Sequence, residues 1–263
     1  LGEKTLSNST ITKLTIEEGI KEIKAGAFSQ CTGIKGSLVI PEGVTKIGVG
    51  AFNKCSGFDG TLTLPSSLKS IGSGAFQLCS GFTGDLVIPD GVETLGAYVF
   101  NKCSGFNGTL TLPSTLKSIG RTSFQSCSGL TGNLVIPEGV EKVEDYTFNG
   151  CSGLNGTLTL PSSLKSIGKT SFQNCTDLKG NLVIPEGVEI IESYTFCGCS
   201  SLDGTITLPS GLKTIGEVAF QNCSKLTGPL NLPDTIESIG QFAFNSCRSL
   251  TGDLVIPNSI TTI

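Results

Sequence analysis

The stretch "NGTLTLPSTLKSIG" occupies residues 107–120, and it recurs almost unchanged at 59–72 as "DGTLTLPSSLKSIG" and at 155–168 as "NGTLTLPSSLKSIG". Midway between these copies stand related but different phrases, "GDLVIPDGVETLG" from residue 84 and "GNLVIPEGVEKVE" from residue 132. The underlying period is 24 residues: Phe28 through Phe244, Cys31 through Cys247, Gly36 through Gly252 and Pro41 through Pro257 all recur at that interval. No insertion or deletion interrupts the series. Self-similarity at one fixed period is the signature of a solenoid, in which each repeat is one coil stacked on the next.

Within one unit the apolar positions are Phe106, Leu110, Leu112, Leu116, Ile119, Phe124 and Cys127. Leu110 and Leu112 alternate as a strand with one buried face. Pro113, which has no N–H to donate, ends the pairing there. In "RTSFQSC" the three-residue spacing of Phe124 and Cys127 predicts one inward-facing turn of α- or 3₁₀-helix. Gly108 predicts a positive φ or a bulge before the strand. One coil cannot bury this face alone, but strands stacked in parallel at roughly 4.8 Å can. The expectation is a stack of about eleven coils, roughly 50 Å long at that spacing.

Composition narrows the function. Charged residues make up 15% of the chain, against about 25% in an average globular protein, and the net charge is −4 with no basic run. A nucleic-acid partner is therefore not expected, because counterion release needs a positive stripe. No apolar run approaches the length of a membrane-spanning helix, so no membrane insertion is expected. The chain has neither His nor Met. Without His, the commonest general base and metal ligand is missing; no cofactor and no enzymatic activity are expected. "LGEKTLSN" has no signal-peptide core and "IPNSITTI" stops in mid-phrase, so the chain reads as a fragment.

The core pattern, "LVIPEGVTKIGVGAFNKCSGF" at 38–58, resembles the BspA-like class of leucine-rich repeats, and the resemblance runs from Ile11 onward. It implies an α/β repeat: a right-handed leucine-rich repeat solenoid with a parallel β-sheet on the concave side and short helical turns on the other. It also implies an extracellular or cell-surface location and a role in adhesion, with protein or glycan partners that include host extracellular matrix. The family offers no catalytic residue to carry over. Two departures stand out. "TGDLVIP" is slightly longer than the usual short repeat, and the first unit carries Glu17 in the Pro position and Lys24 in the Gly position. A more polar outer coil suits a cap. The chain thus reads as a single domain, 1–263, with a cap-like coil at 1–31, regular repeats at 32–263 and a truncated last one.

Three columns bear on function. Lys69, Glu93, Lys117, Glu141, Lys165, Glu189, Lys213 and Glu237 alternate in sign down the stack, which avoids like charges on adjacent coils. The periodic Cys column favours inert inward thiols over disulfides or a metal site: parallel side chains about 4.8 Å apart neither converge on a metal nor reach disulfide distance. Cys197 stands outside that column, where other coils carry Gln125 or Asn149, and is expected to face solvent. It reads as a drifted surface residue, with intermolecular pairing as the alternative.

The best contact candidates are the outward strand residues Asp85, Thr109, Thr111, Asn133, Thr157, Thr159 and Asn181, and an aromatic column, Tyr98, Tyr146, Tyr194 and Phe242. Good strand formers on a solvated sheet explain the first group equally well, and shielding of the coil edge explains the second. The expected function is a non-catalytic adhesion module, expected to be a monomer. The alternative is a spacer or self-association module. Ice binding is disfavoured because the Thr-x-Thr ranks occur only in alternate coils.

Overall fold

The structure, a computed structural model, describes residues 5–260. The outermost residues of the two terminal phrases, 1–4 and 261–263, lie outside the described residues. Every coil contributes a two-residue strand to one ten-stranded parallel ribbon, from Glu22–Ile23 and Lys46–Ile47 to Ser238–Ile239. Its register advances by one repeat per step, Ile23 opposite Ile47 and Ile47 opposite Ile71. Ten such strands make about nine turns of 24 residues. The expected count of eleven coils is therefore too high.

The ribbon does not run through Leu110 and Leu112, as expected, but through Ser118–Ile119, beyond Pro113. On the Leu110 side the strands pair only two by two: Leu38–Val39 with Leu62–Thr63, Leu86–Val87 with Leu110–Thr111, Leu134–Val135 with Leu158–Thr159, and Leu182–Val183 with Ile206–Thr207. Between pairs the ladder slips, leaving isolated bridges such as Thr109 to Thr131 and Thr157 to Lys179.

No helix forms among the described residues, which corrects the reading of "RTSFQSC". There the N–H groups of Ser123, Gln125 and Cys127 close turns on Gly120, Thr122 and Phe124. The alternate N–H groups, of Thr122, Phe124 and Ser126, reach across to the carbonyls of Asp145, Thr147 and Asn149 in the next coil at 2.7–3.0 Å. A helix would keep those donors inside its own segment. Stacking takes them outward, and the chain turns instead at Thr122 and Ser126, with φ of 62° and 59°, as type II turns require. Phe124 and Cys127 do face inward and are fully buried.

The core is a column of ten phenylalanines, Phe28 to Phe244, each ring 5.1–5.6 Å from the next and tilted by no more than 15°. Near-parallel rings with centroids this far apart, well beyond face-to-face contact of two ring planes, are offset, the favourable stacked geometry. A shorter column, Phe58, Phe82 and Phe106, meets the first edge-on.

The 48-residue alternation has its reason at two corners. Gly84 adopts φ of 77° and its N–H donates to Asn107 Oδ1 of the following coil at 2.7 Å. In return, the N–H of Thr109 donates to Asp85 Oδ1 at 2.6 Å. The same exchange joins Gly36 to Asp59 and Thr61 to Ser37, Gly132 to Asn155 and Thr157 to Asn133, and Gly180 to Asp203 and Thr205 to Asn181. Gly108 is needed for another reason than the one expected: its φ is not positive, but a Cβ there would lie 2.2 Å from Asp85 Oδ1. At the second corner the Glu138 carboxylate accepts the N–H and Oγ–H of Ser162, and Glu42 and Glu186 hold Ser66 and Ser210 likewise. These backbone donors keep Asp85 and Glu138 below their ordinary carboxyl pKa. An acceptor in one phrase meets a donor in the other, so coils lock in pairs.

The charge column contributes less. Lys213 and Glu189 approach to 2.7 Å and Lys165 and Glu141 to 3.8 Å, each Lys meeting the preceding coil. Both pairs are exposed, so solvent screening leaves each a minor contribution. Two deletions of equal length test the pairing. Removing 107–154 takes out one whole pair and leaves every corner matched. Removing 107–130 together with 155–178 sets three "LVI" coils in succession and loses two sets of corner bonds. The second variant is expected to be less stable by about 2–5 kcal/mol in urea denaturation; equal stability would refute the pairing.

Candidate functional site

Each coil is left-handed at two positions four residues apart, and the first of them stands just before the small residue preceding the stacked Phe. In the first coils it is glycine: Gly26, Gly50 and Gly74, with φ near 60°. The following coils keep that φ and place there Tyr98, Thr122, Tyr146, Thr170, Tyr194, Val218 and Phe242. Holding a residue with a Cβ in this region costs of order 1 kcal/mol or more, and a β-branched valine is an outlier there. Strained positions persist where surroundings or function require them.

The side chains on this column alternate in height. Thr122, Thr170 and Val218 are each 5% exposed, whereas Tyr98 is 37% and Phe242 60% exposed, with Tyr146 and Tyr194 half-buried. The structure thus aligns the aromatic column, as the sequence predicts, with rings on alternate coils.

Beside it runs a feature that sequence reasoning missed. Asn53 Nδ2 donates to Gln77 Oε1 at 2.9 Å, and the chain of side-chain amide bonds continues through Asn101, Gln125 and Asn149 to Gln173. Alternation of Asn and Gln at one position was the available signal. Tyr98 and Asn101 are the two ends of one turn, Asn101 N–H donating to the Tyr98 carbonyl, and Tyr146 and Asn149 likewise. A Cβ built on Gly74 would lie 3.4 Å from Gln77 Oε1, so side chains at the left-handed position stand against the amides. Cys197 interrupts the amide column. Contrary to expectation it does not face solvent: it is only 8% exposed, and burial raises its pKa while Gln173 bonds to it.

The strand-face candidates are all exposed, and the side-chain oxygens of Asp85, Thr109, Asn133, Thr157 and Asn181 are engaged. Asp85, Asn133 and Asn181 each accept the following Thr N–H, and Thr109 and Thr157 also donate their hydroxyls to Asp85 and Asn133. Thr111 and Thr159 pair with Val87 and Val135 in an outward Val/Thr column. This face is built around its own corner bonds.

The family model for the BspA type leucine-rich repeat region matches in overlapping segments that together run from residue 1 to 263. The chain belongs to the BspA-type leucine-rich repeat family. Among solved structures, a leucine-rich repeat protein from Bacteroides ovatus is 28% identical, with a TM-score of 0.76 over 98% of this chain and 70% of its own. A leucine-rich repeat protein from T. pallidum is 30% identical, with a TM-score of 0.56 over 67% of this chain and 81% of its own. The pneumococcal vaccine antigen PcpA, 20% identical with a TM-score of 0.55 over 98% of this chain and 70% of its own, shares the fold. No curated protein matches the chain.

In this leucine-rich repeat the cysteine column lies inside. Each thiol from Cys55 to Cys247 donates to the carbonyl of the Phe that precedes it by 27 residues, as Cys127 does to Phe100 at 3.0 Å. Among the described residues no group of three or more His, Cys, Asp or Glu is arranged to hold a metal ion. Burial pushes Cys103 and Cys151 up to about 12 and raises Cys127, Cys175 and Cys199 as well. A thiol with a folded pKa above its unfolded value of about 8.5 keeps its proton longer in the fold than in the open chain. Its stabilising contribution is complete below about pH 8.5 and is lost as pH rises toward the folded value. With about 1.4 kcal/mol per thiol per pH unit acting on several sites, the solenoid is expected to unfold cooperatively between about pH 9 and 10.5. Circular dichroism would follow this, and a native spectrum at pH 11 would contradict it.

Proposed function

We propose that this solenoid is a non-catalytic binding and adhesion module of a secreted or surface-exposed protein, with protein or glycan partners. The observation that carries this reading is the aromatic column. It occupies positions that glycine fills without strain in three coils, and it leaves its rings partly exposed, although Tyr194 Oη also donates to Glu217 of the next coil. Membership in the BspA-type family supports the class of function, because stacked repeats offer long regular surfaces for extended partners. Burial of the thiols, which limits their access to oxidants, makes the unpaired Cys column compatible with an extracellular setting.

Tyr98, Tyr146, Tyr194 and Phe242 form the proposed contact site, and Asp85, Thr109, Thr111, Asn133, Thr157, Thr159 and Asn181 serve mainly to hold the strand face in register. The test is solid-phase adhesion of the chain to extracellular matrix, with Tyr98→Thr, Tyr146→Thr and Tyr194→Thr combined, since Thr already occupies this position in two coils. Adhesion is expected to weaken about tenfold or more, ~1.4 kcal/mol, with unchanged melting. Adhesion absent from the parent would favour a spacer, and adhesion untouched in the variant would remove the aromatic column as the contact site.

A further inference from the structure

Resting on the binding-module reading above, we propose that the aromatic column binds an uncharged β-1,4-linked polysaccharide, laid along the solenoid axis with alternate sugars stacked on successive rings. Three features of the column point to this ligand class: its spacing, its flanks and its backbone.

The rings recur every second coil. Parallel strands repeat at roughly 4.8 Å, so two coils advance roughly 10 Å. The buried phenylalanines two residues further along take a slightly longer step, 5.6 and 5.3 Å from Phe100 through Phe124 to Phe148, and 5.5 and 5.3 Å from Phe148 through Phe172 to Phe196, so the two-coil repeat is about 10–11 Å. In a β-1,4-linked chain each sugar is flipped relative to the last, so the same face returns every second sugar, at a closely similar length. An extended peptide fits less well: its same-side residues return every ~6.8 Å and fall out of step with the rings. An α-1,4-linked chain coils and leaves the line of rings.

The flanks suit a neutral, hydroxyl-rich ligand. On one side stand the amides of Gln125, Asn149 and Gln173, each with a donor or acceptor site beyond those used within the column. On the other side Arg121, Asp145, Lys169, Ser193 and Glu217 mix both signs with a neutral residue and offer no uniform field to a charged polymer. The aromatic faces supply what pyranose C–H faces need, apolar area with a hydroxyl at the rim, and Tyr194 Oη already donates to Glu217 at 3.4 Å. The left-handed backbone makes the role separable from folding, because glycine at this position is native to the first coils.

The experiment is a depletion assay of the 263-residue chain on microcrystalline cellulose and on chitin, with amylose and gelatin as comparisons. Retention on cellulose or chitin is expected to exceed that on amylose at least tenfold, and the polymer that retains it identifies the sugar. Tyr98→Gly, Tyr146→Gly and Tyr194→Gly combined should cut retention at least tenfold while Tm holds or rises. The corresponding Phe replacements should keep at least half of it. No preference for either β-1,4-linked polymer, or full retention by the glycine variant, overturns the proposal. So does a Tm lowered by several degrees, which assigns the rings to packing. Tyrosine-dependent retention on gelatin alone would overturn the glycan and leave the binding module standing. Loss of matrix adhesion and of every polymer in the parent chain would remove both.

Discussion

The backbone N–H groups of each coil are satisfied largely by its neighbours, and this fixes nearly everything else. Leu86 and Ile88 donate to Thr109 and Thr111, Tyr98 and Phe100 to Arg121 and Ser123, and Lys117 and Gly120 to Glu93 and Leu95. Donors on three sides of the coil thus cross to an adjacent coil. An inserted residue would break register on every side at once, leaving buried donors unpaired at about 1–3 kcal/mol each. The unvarying period is the consequence. Register in turn sets each residue against its own counterpart: Phe on Phe, thiol against the carbonyl of the previous Phe, amide on amide.

Stacking like on like suits only some side chains. An offset aromatic ring, a thiol and a primary amide can each be continued by a copy of itself, because each carries complementary parts. A carboxylate is acceptor only, and a backbone N–H is donor only. Where a corner depends on a carboxylate, one phrase repeated throughout would set that carboxylate against its own copy, like charge on like and with no hydroxyl to donate. Two phrases in alternation resolve this, with Asp85 beneath Thr109 and Glu138 beneath Ser162. The Lys/Glu column obeys the same logic more weakly, since its members are solvated.

The period, the inward Phe and Cys and the parallel stack were legible because each depends on which residue recurs, and recurrence is visible in the letters. The aromatic column was legible for the same reason. The helical turn was not. Three-residue spacing of Phe124 and Cys127 fits a helix and a pair of type II turns equally, and only the destination of the Thr122 and Phe124 N–H groups separates them. Leu110 and Leu112 read as the strongest strand by alternation, yet the unbroken ribbon passes through Ser118–Ile119. Inward-facing side chains specify burial, whereas ladder continuity is decided by corner glycines whose φ differs between coils. Cys197 looked exposed because its counterparts are amides. Those amides are themselves half-buried against one another, so a smaller thiol in their place is covered.

The same accounting separates what the frame dictates from what it leaves open. The Asx, Ser and Gly positions at the corners are determined by bonds to the next coil, so a substitution there acts on stability before it acts on any partner. The left-handed position beside the amides is different: Gly, Thr, Val, Tyr and Phe all occupy it at the same φ, and its backbone bonds persist whichever is present. Its cost in strain is local and small compared with the neighbouring coil contacts. A repeat protein can therefore change the side chain it displays at this position, one ring per two coils, without renegotiating the stack that holds the rings in line.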